Sequence, residues 1–384
     1  QQAKIMSQKY DVVCTNPPYL SRRKGMNNPL IKYVDEKYVN GKMDMFSVFI
    51  LKNLEYAKCN GFIAMMTPFV WLYLTSYINL RKYILSSKEI VNLIQPEENS
   101  FKDATVSLTT FVLRNSKISQ KGVFIKLSDF QGTENQPQKL LEAKKNIHVY
   151  YRYEKTTEFF LDMPDYRIIF WISESVKRNF DEGESFDNIA KPRQGLATSD
   201  NDRFLRYWFE VNYIKVGFNM TKDNNLKTIG FKWFPYNKGG GFRKWYGNNE
   251  WLINWENDGK EIKDYASSLY KTYSRTIKNE AYYFVKSITW SDISGKNFAA
   301  RACDEGFIFD VKGSSAFPNK EFYYFVLSFL NSKLIPMFID MLNPSITTQV
   351  GDLKQLPVIK PKKEILDQIN LIAKHSVGIS KSDW

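Results

Sequence analysis

The sequence predicts an α/β unit followed by a less regular α+β region. Three observations lead there. Strand-like and helix-like segments alternate between residues 9 and 117. After Asn115 the composition shifts towards Trp, Tyr, Phe, Lys and Asn, and the periodicity weakens. With 384 residues, 43% of them hydrophobic and 16% aromatic, the chain can build two packed cores.

The elements follow in order. Asp11–Thr15 reads as a short buried strand, because the apolar run Val12-Val13-Cys14 stops at two prolines. Asp44–Lys58 carries Met45, Phe46, Phe49, Ile50 and Leu54 at helical spacing, with Asn60-Gly61 as its expected C-cap. Phe62–Thr67 is a second strand, Pro68–Leu85 is mostly helical, and Ile90–Gln95 is a third strand. Val106–Arg114 is β-branched and alternating, a fourth strand. The segment "NSKISQKGV" then marks the expected boundary, giving domains 1–117 and 118–384. In the second, Val123–Leu127 and Trp251–Trp255 read as strands, and Phe322–Leu342 and Lys363–His375 as helices.

Composition narrows the function. Cys14, Cys59 and Cys303 are few, scattered and odd in number, which opposes a disulfide framework and fits a reducing cytoplasm. The only histidines are His148 and His375, so zinc or histidine-based chemistry is not expected. No apolar run reaches membrane-spanning length, and the polar start "QQAKIMSQKY" does not read as a secretory signal. The net charge is +13, and basic side chains exceed acidic ones in both parts. Such a field favours a polyanion, nucleic acid first. A Glu174…Lys177 pair after Pro164-Asp165 has the wrong spacing for a metal-dependent nuclease, and the intervening "YRIIFWIS" reads as core.

The stretch "YDVVCTNPPYLSRR" carries the chemistry. A strand end presenting Asn16-Pro17-Pro18-Tyr19 offers two acceptors, the Asn16 side-chain oxygen and the Pro17 carbonyl, the latter aimed by fixed φ angles. Two converging acceptors suit an –NH₂ group, and the Tyr19 ring beside them offers a flat face. The set fits a planar ring bearing an exocyclic amine, such as adenine. An aromatic amine is a poor nucleophile because its lone pair is delocalised. Accepting both N–H bonds turns the nitrogen towards tetrahedral geometry and stabilises the positive charge that develops on it during attack.

"TNPPY" resembles motif IV of the amino-methylating methyltransferases that use S-adenosylmethionine. The following "GKMDMFSVFILKNLEYAKCNGFIAMMTPFVWL" resembles that family's next helix and strand, and the resemblance places Met45 and Phe49 beside the methyl donor's adenine. "NSFKDATVSLTTFVLRN" resembles the segment whose aromatic residue, here Phe101, covers the other face of the target base. A Tyr19–Phe101 sandwich would hold a flipped adenine, each stack contributing roughly 1–3 kcal/mol. Segments onward to "LNPSITTQVGDLKQLPV" resemble the adenine-specific DNA methyltransferases of the PglX type from BREX phage defence and, more loosely, the type IIG restriction–modification proteins.

The resemblance implies the C-terminal half of a Rossmann-like methyltransferase sheet followed by an α+β DNA target-recognition region. It implies S-adenosylmethionine as cofactor, double-stranded DNA as partner, and a place for other defence-system proteins. Independently of it, "FKWFPYNKGGGFRKWYGNN" interleaves Lys232, Lys238, Arg243 and Lys244 with aromatic residues including Trp245, and Gly239–Gly241 can bring backbone close to a phosphate. "GLATSDNDRF" offers Thr198, Ser199, Asn201 and Arg203 in a polar turn. The donor-binding Gly-containing loop is expected before Asn16 and is not found there, so the sequence reads as the C-terminal part of a larger enzyme, inactive alone. Other readings stay open at this point: a non-catalytic DNA specificity module, or an Asn-Pro-Pro-Tyr methyltransferase acting on RNA or a protein glutamine.

Overall fold

The computed structural model describes residues 5–384 apart from 6, 98–106, 133, 222–229, 294–296 and 344–346. The chain forms two compact units, Gln1–Asp181 and Glu182–Trp384.

Unit 1 is an α/β layer built in the order β1 (Tyr10–Thr15), α1 (Asn28–Lys37), α2 (Met45–Tyr56), β2 (Ala57–Pro68), α3 (Ile78–Ser87), β3 (Glu89–Gln95), β4 (Leu108–Arg114), β5 (Lys121–Lys126), α4 (Asn135–Lys145), β6 (Arg152–Thr156) and α5 (Glu174–Glu182). Its six strands lie in the order β1-β2-β4-β3-β5-β6. The pairs β1·β2 and β3·β5 are parallel, and the other three are antiparallel. Helices α2 and α3 bury Phe46, Ile50, Leu54, Leu80, Ile84 and Leu85.

Three expectations need correction. The boundary at 117/118 falls inside this sheet: β5 pairs with β3 and β6 with β5, so the unit continues to Asp181. Asn115, placed at that boundary, is a tie instead. Its side-chain amide donates to the carbonyls of Leu54, Ala57 and Lys58, where α2 passes into β2. Asn60-Gly61 is not the cap of α2, which ends at Tyr56 with the Ala57 N–H on the Asn53 carbonyl. It lies inside β2 at a shift of register against β1, with Asn60 at φ 63°. A Cβ on Gly61 would stand 2.9 Å from the Asp11 carbonyl oxygen, so the bulge needs glycine there. Finally, β1 is a sheet edge rather than a buried strand, and Val12 is 60% exposed.

The chain around and after α3 is pinned by two buried arginines, Arg81 within the helix and Arg167 after it. Arg81 donates to the carbonyls of Trp71, Leu74 and Asp165, and burial pushes its guanidinium down to about 9. Arg167 donates to the Tyr73 carbonyl and pairs with Asp165. The run Ile168, Ile169, Phe170 and Ile172 is buried, as its apolar character requires, while Glu174 pairs with Lys155 and Lys177 with Asp162 and Asp181.

Unit 2 is α+β. Its elements are β7 (Glu184–Ser185), α6 (Phe186–Ala190), α7 (Asn201–Phe204), β8 (Leu205–Tyr207), β9 (Trp233–Asn237), β10 (Trp251–Asn254), α8 (Glu256–Tyr270), β11 (Ser287–Trp290), β12 (Ala300–Cys303), β13 (Ile308–Phe309), β14 (Ser315–Ala316), α9 (Tyr323–Asn331), α10 (Leu334–Leu342), α11 (Val350–Lys354), β15 (Pro357–Val358) and α12 (Lys363–Asp383). The strands form sheets β13-β9-β10-β8, β12-β11-β14 and β15-β7. Leu205, Phe234, Tyr236, Ile253, Trp255 and Ile308 share one core with α8.

The helix expected over Phe322–Leu342 is two helices, bent by 75° at a break of residues 332–333. Pro336 explains it: its ring would meet the carbonyl of Ser332 in a continuous helix, and it has no N–H to donate. Among the described residues no single helix is long and apolar enough to cross a membrane; the bent pair passes by length and composition together, and its Val326, Leu327, Leu330, Ile335 and Leu342 are buried in the fold.

Candidate active site

The corner Asn16-Pro17-Pro18-Tyr19 leaves the edge strand β1 with Asn16 and Pro18 exposed and Pro17 buried. Its position is set by the start of α2. The Leu20 N–H donates to Asp44 Oδ1 at 3.0 Å, the Met45 N–H to the Leu20 carbonyl at 3.1 Å, and the Arg22 N–H to the Met43 carbonyl at 3.0 Å. Asp44 is also the N-cap of α2, accepting from the Phe46 N–H at 3.3 Å. One carboxylate therefore holds both the corner and the helix. Burial raises the Asp44 pKa above its ordinary value, opposed by the N–H groups of Phe46, Leu20 and Met45. Behind it, Arg22 grips Asp35 with two bonds of 2.7 and 2.8 Å.

Tyr19 is 42% exposed, and burial of the rest raises its pKa. Its hydroxyl stands 3.4 Å from both Asn16 Oδ1 and the Met66 carbonyl of β2. Its ring meets the buried Phe46 edge-on, centroids 6.4 Å apart, and Phe46 leans on Tyr77 at 5.5 Å. Phe46, Tyr77 and Asp44 are not among the site residues expected from sequence. Asp44 was findable as an N-cap ahead of an apolar period; its second bond, to Leu20, was not.

Of the expected donor-side residues, Met45 and Phe49 lie on α2, both half-buried. Met45 packs on the cluster of Val34, Tyr38 and Val48. A half-exposed apolar pair one helical turn apart fits the burial that an adenine ring requires. Phe101 lies outside the described residues. Among the described residues no cluster of His, Cys, Asp or Glu could hold a metal ion.

In unit 2 the expected polar residues separate into two groups. Thr198, Ser199, Asn201 and Lys238 come together around one pocket of about 270 Å³. Arg203 turns away from it onto Glu261, at 3.0 and 2.8 Å. Lys232 sits over the Trp233 ring at 5.8 Å. Arg243 stacks on Trp384 at 4.7 Å and approaches Asp383 at 3.7 Å, Lys244 donates to the Asn331 carbonyl at 2.9 Å, and Ser380 of α12 donates to the Lys244 and Tyr246 carbonyls. Arg243 and Lys244 are thus engaged with the protein's own helices. Trp245 takes φ 73° and donates its N–H to the Ala300 carbonyl. At Gly239, φ 88°, the close approach is to protein: a Cβ there would lie 2.8 Å from the Lys312 carbonyl oxygen.

The fold is similar to that of solved restriction–modification enzymes. It superposes on the type IIL enzyme MmeI in complex with DNA with a TM-score of 0.60, covering 97% of this chain and 50% of that one at 12% identity. The type ISP enzyme LlaGI, with a DNA substrate mimic, gives 0.56 over 99% of this chain and 42% of that one at 11% identity. By sequence the chain is similar to adenine-specific methyltransferases of the PglX type. It is 34% identical to adenine-specific methyltransferase PglX of Lacticaseibacillus casei (strain Zhang) over 99% of this chain, and 32% identical to adenine-specific methyltransferase BrxX of Escherichia coli O9:H4 (strain HS) over 100%. It spans 32% and 30% of those relatives' own lengths. Residues 1–101 match the family model of the Eco57I restriction-modification methylase.

Proposed function

We propose that this chain carries the methyl-acceptor side of a DNA adenine-N6 methyltransferase of a phage-defence or restriction–modification system, together with its target-recognition region. The observation that carries this reading is the corner itself: Asn16 Oδ1 and Tyr19 gathered at a strand end and fixed to α2 through Asp44. The similarity to named adenine-specific methyltransferases along the full chain supports it.

The amine of a flipped adenine donates one hydrogen to Asn16 Oδ1 and the other to the Pro17 carbonyl. Tyr19's hydroxyl, held at a long 3.4 Å, yields that oxygen to the shorter bond with the amine. Tyr19 supports one face of the base, with Phe46 behind its ring; the sequence resemblance assigns the other face to Phe101, which lies outside the described residues. The two acceptors stabilise charge that appears on nitrogen only in the transition state, so their effect falls on rate more than on binding. Pro17 and Pro18 fix where the carbonyl points. S-adenosylmethionine supplies the methyl group when bound, and Met45 and Phe49 would line its adenine. Of the residues expected to meet DNA, Ser199, Asn201, Lys232 and Lys238 remain available for it; buried Thr198 holds Asn201 through its hydroxyl, and Arg203, Arg243, Lys244 and Trp245 support the fold that presents them.

The test is Asn16→Ala in the full-length gene product, with S-adenosylmethionine and duplex DNA. Methylation lost with DNA binding retained is the expected result. Methylation at the wild-type rate refutes the role of Asn16.

A further inference from the structure

The pocket of unit 2 is built around a carboxylate that the sequence did not draw attention to. Asp310 is fully buried. Its Oδ2 accepts from the Tyr236 hydroxyl at 2.6 Å and from Lys238 Nζ at 2.9 Å, and its Oδ1 from the Lys312 N–H at 2.6 Å. Lys238 Nζ makes a second bond, 3.0 Å, to Asn201 Oδ1, which also accepts from the Thr198 hydroxyl at 2.6 Å.

These bonds fix what the pocket can still offer. An ammonium only donates, so the Asn201 atom facing Lys238 must be its oxygen, and the amide cannot be turned over. That oxygen is spent on two donors. The Asn201 –NH₂ has no acceptor among the described residues, and Lys238 has used two of its three hydrogens. What Asn201 and Lys238 can still offer together is therefore donors.

Charge decides between two kinds of acceptor. The pocket is lined by Lys238 and Lys312 against Asp200 and Asp310, so it is neutral, and Lys312 is further paired with Asp292 at 2.7 Å. A phosphate site needs surplus positive charge; this one has none. Two fixed donors in a neutral pocket match two adjacent acceptors on a neutral planar ring. In the major groove guanine presents that pair, N7 and O6. Adenine requires an acceptor for its N6–H₂, which neither Asn201, its oxygen spent, nor Lys238 can give.

We infer that Asn201 and Lys238 form a donor pair that reads the N7/O6 edge of a guanine in the recognition sequence, with buried Asp310 as the residue that positions Lys238. This rests on the reading of the chain as a DNA-acting protein.

The test selects bound duplexes from a randomised library with the full chain, and compares wild type with Asn201→Ala, Lys238→Met and Asp310→Asn. Wild type enriches a sequence containing at least one guanine, and 7-deazaguanine at that position weakens binding roughly 5- to 100-fold. Asn201→Ala and Lys238→Met relax the preference at that one position and leave the others unchanged. Asp310→Asn relaxes the same position, a single-site change that a general loss of fold does not produce. If Asp310→Asn does not fold, the first two variants still decide. Either variant selecting the wild-type sequence unchanged overturns the inference. So does a uniform loss of affinity with a shallower salt dependence, the mark of a phosphate contact. Wild type enriching no sequence at all refutes DNA recognition by this unit, a failure distinct from the pair's being elsewhere than the guanine.

Discussion

The hydroxyl of Tyr19 lies 3.4 Å from Oδ1 of Asn16, on the acceptor that the substrate amine is proposed to use. Hydroxyl and ring therefore make separable contributions. Tyr19→Phe removes the competitor and keeps the flat face, so methylation persists at near the wild-type rate or above it. Tyr19→Ala removes the face and loses about 1–3 kcal/mol of base stacking, a fall of roughly 5- to 150-fold in kcat/KM. Steady-state methylation of duplex DNA by the full-length gene product measures both. Equal losses in the two variants would assign the effect to the hydroxyl instead.

Asp44 joins the corner to α2, and its removal is felt in both. Asp44→Ala deletes the N-cap and leaves the Leu20 N–H without its acceptor, a loss of roughly 1–3 kcal/mol in folding stability. The sign of its pH dependence follows from burial. Its folded pKa is raised, so the folded state takes the proton before the unfolded one does. The contribution of this group to stability grows as pH falls through the raised value towards the unfolded value near 3.9, at about which it levels off. Asp44→Asn removes that limb. Melting curves of wild type and Asp44→Asn, followed from pH 7 to pH 4, should show wild type gaining relative to the variant; parallel curves would contradict it.

Asn115 closes the junction of α2 and β2 with one amide. Asn115→Ala leaves carbonyls of Leu54, Ala57 and Lys58 without that donor and costs roughly 1–2 kcal/mol, read as a lower urea midpoint with an unchanged slope. Asn115→Asp, which cannot donate, fares no better. A midpoint unchanged by either substitution would show the tie to be dispensable.

Lys232 and Arg203 look alike in sequence and differ in the fold. Arg203 is held by Glu261, whereas Lys232 pairs with no carboxylate among the described residues. Lys232→Ala should weaken DNA binding evenly across sequences and lower the salt slope by about 0.9. Arg203→Ala should leave that slope unchanged. A reversed result, with the slope falling for Arg203 alone, would exchange their roles.

These contrasts show what the sequence could express. Asn16-Pro17-Pro18-Tyr19 was legible because a strand end followed by two prolines has few conformations, and its chemistry is local. The helix from Met45 is legible through its apolar period. What escaped was nonlocal. Nothing near Lys121 announces that β5 returns to pair with β3, so the unit was cut short at 117. Nothing near Arg243 and Lys244 announces that Trp384 and Asn331 take them up, so from sequence both read as DNA contacts. Asp310 is one acidic residue among many until Tyr236 and Lys238 converge on it. Phe322–Leu342 misled for the opposite reason: its apolar period is continuous, and a single proline overrules it.

The carboxylate of Asp44 has one more consequence. Because it binds the Leu20 amide and the first turn of α2 at once, the acceptor corner and the helix bearing Met45 and Phe49 behave as a single rigid part. The spacing between the acceptor atoms and that helix is then a built-in gauge. Substitutions along α2, far from any base, would be transmitted as a changed alignment, and variation at this helix start is constrained by distance as much as by folding.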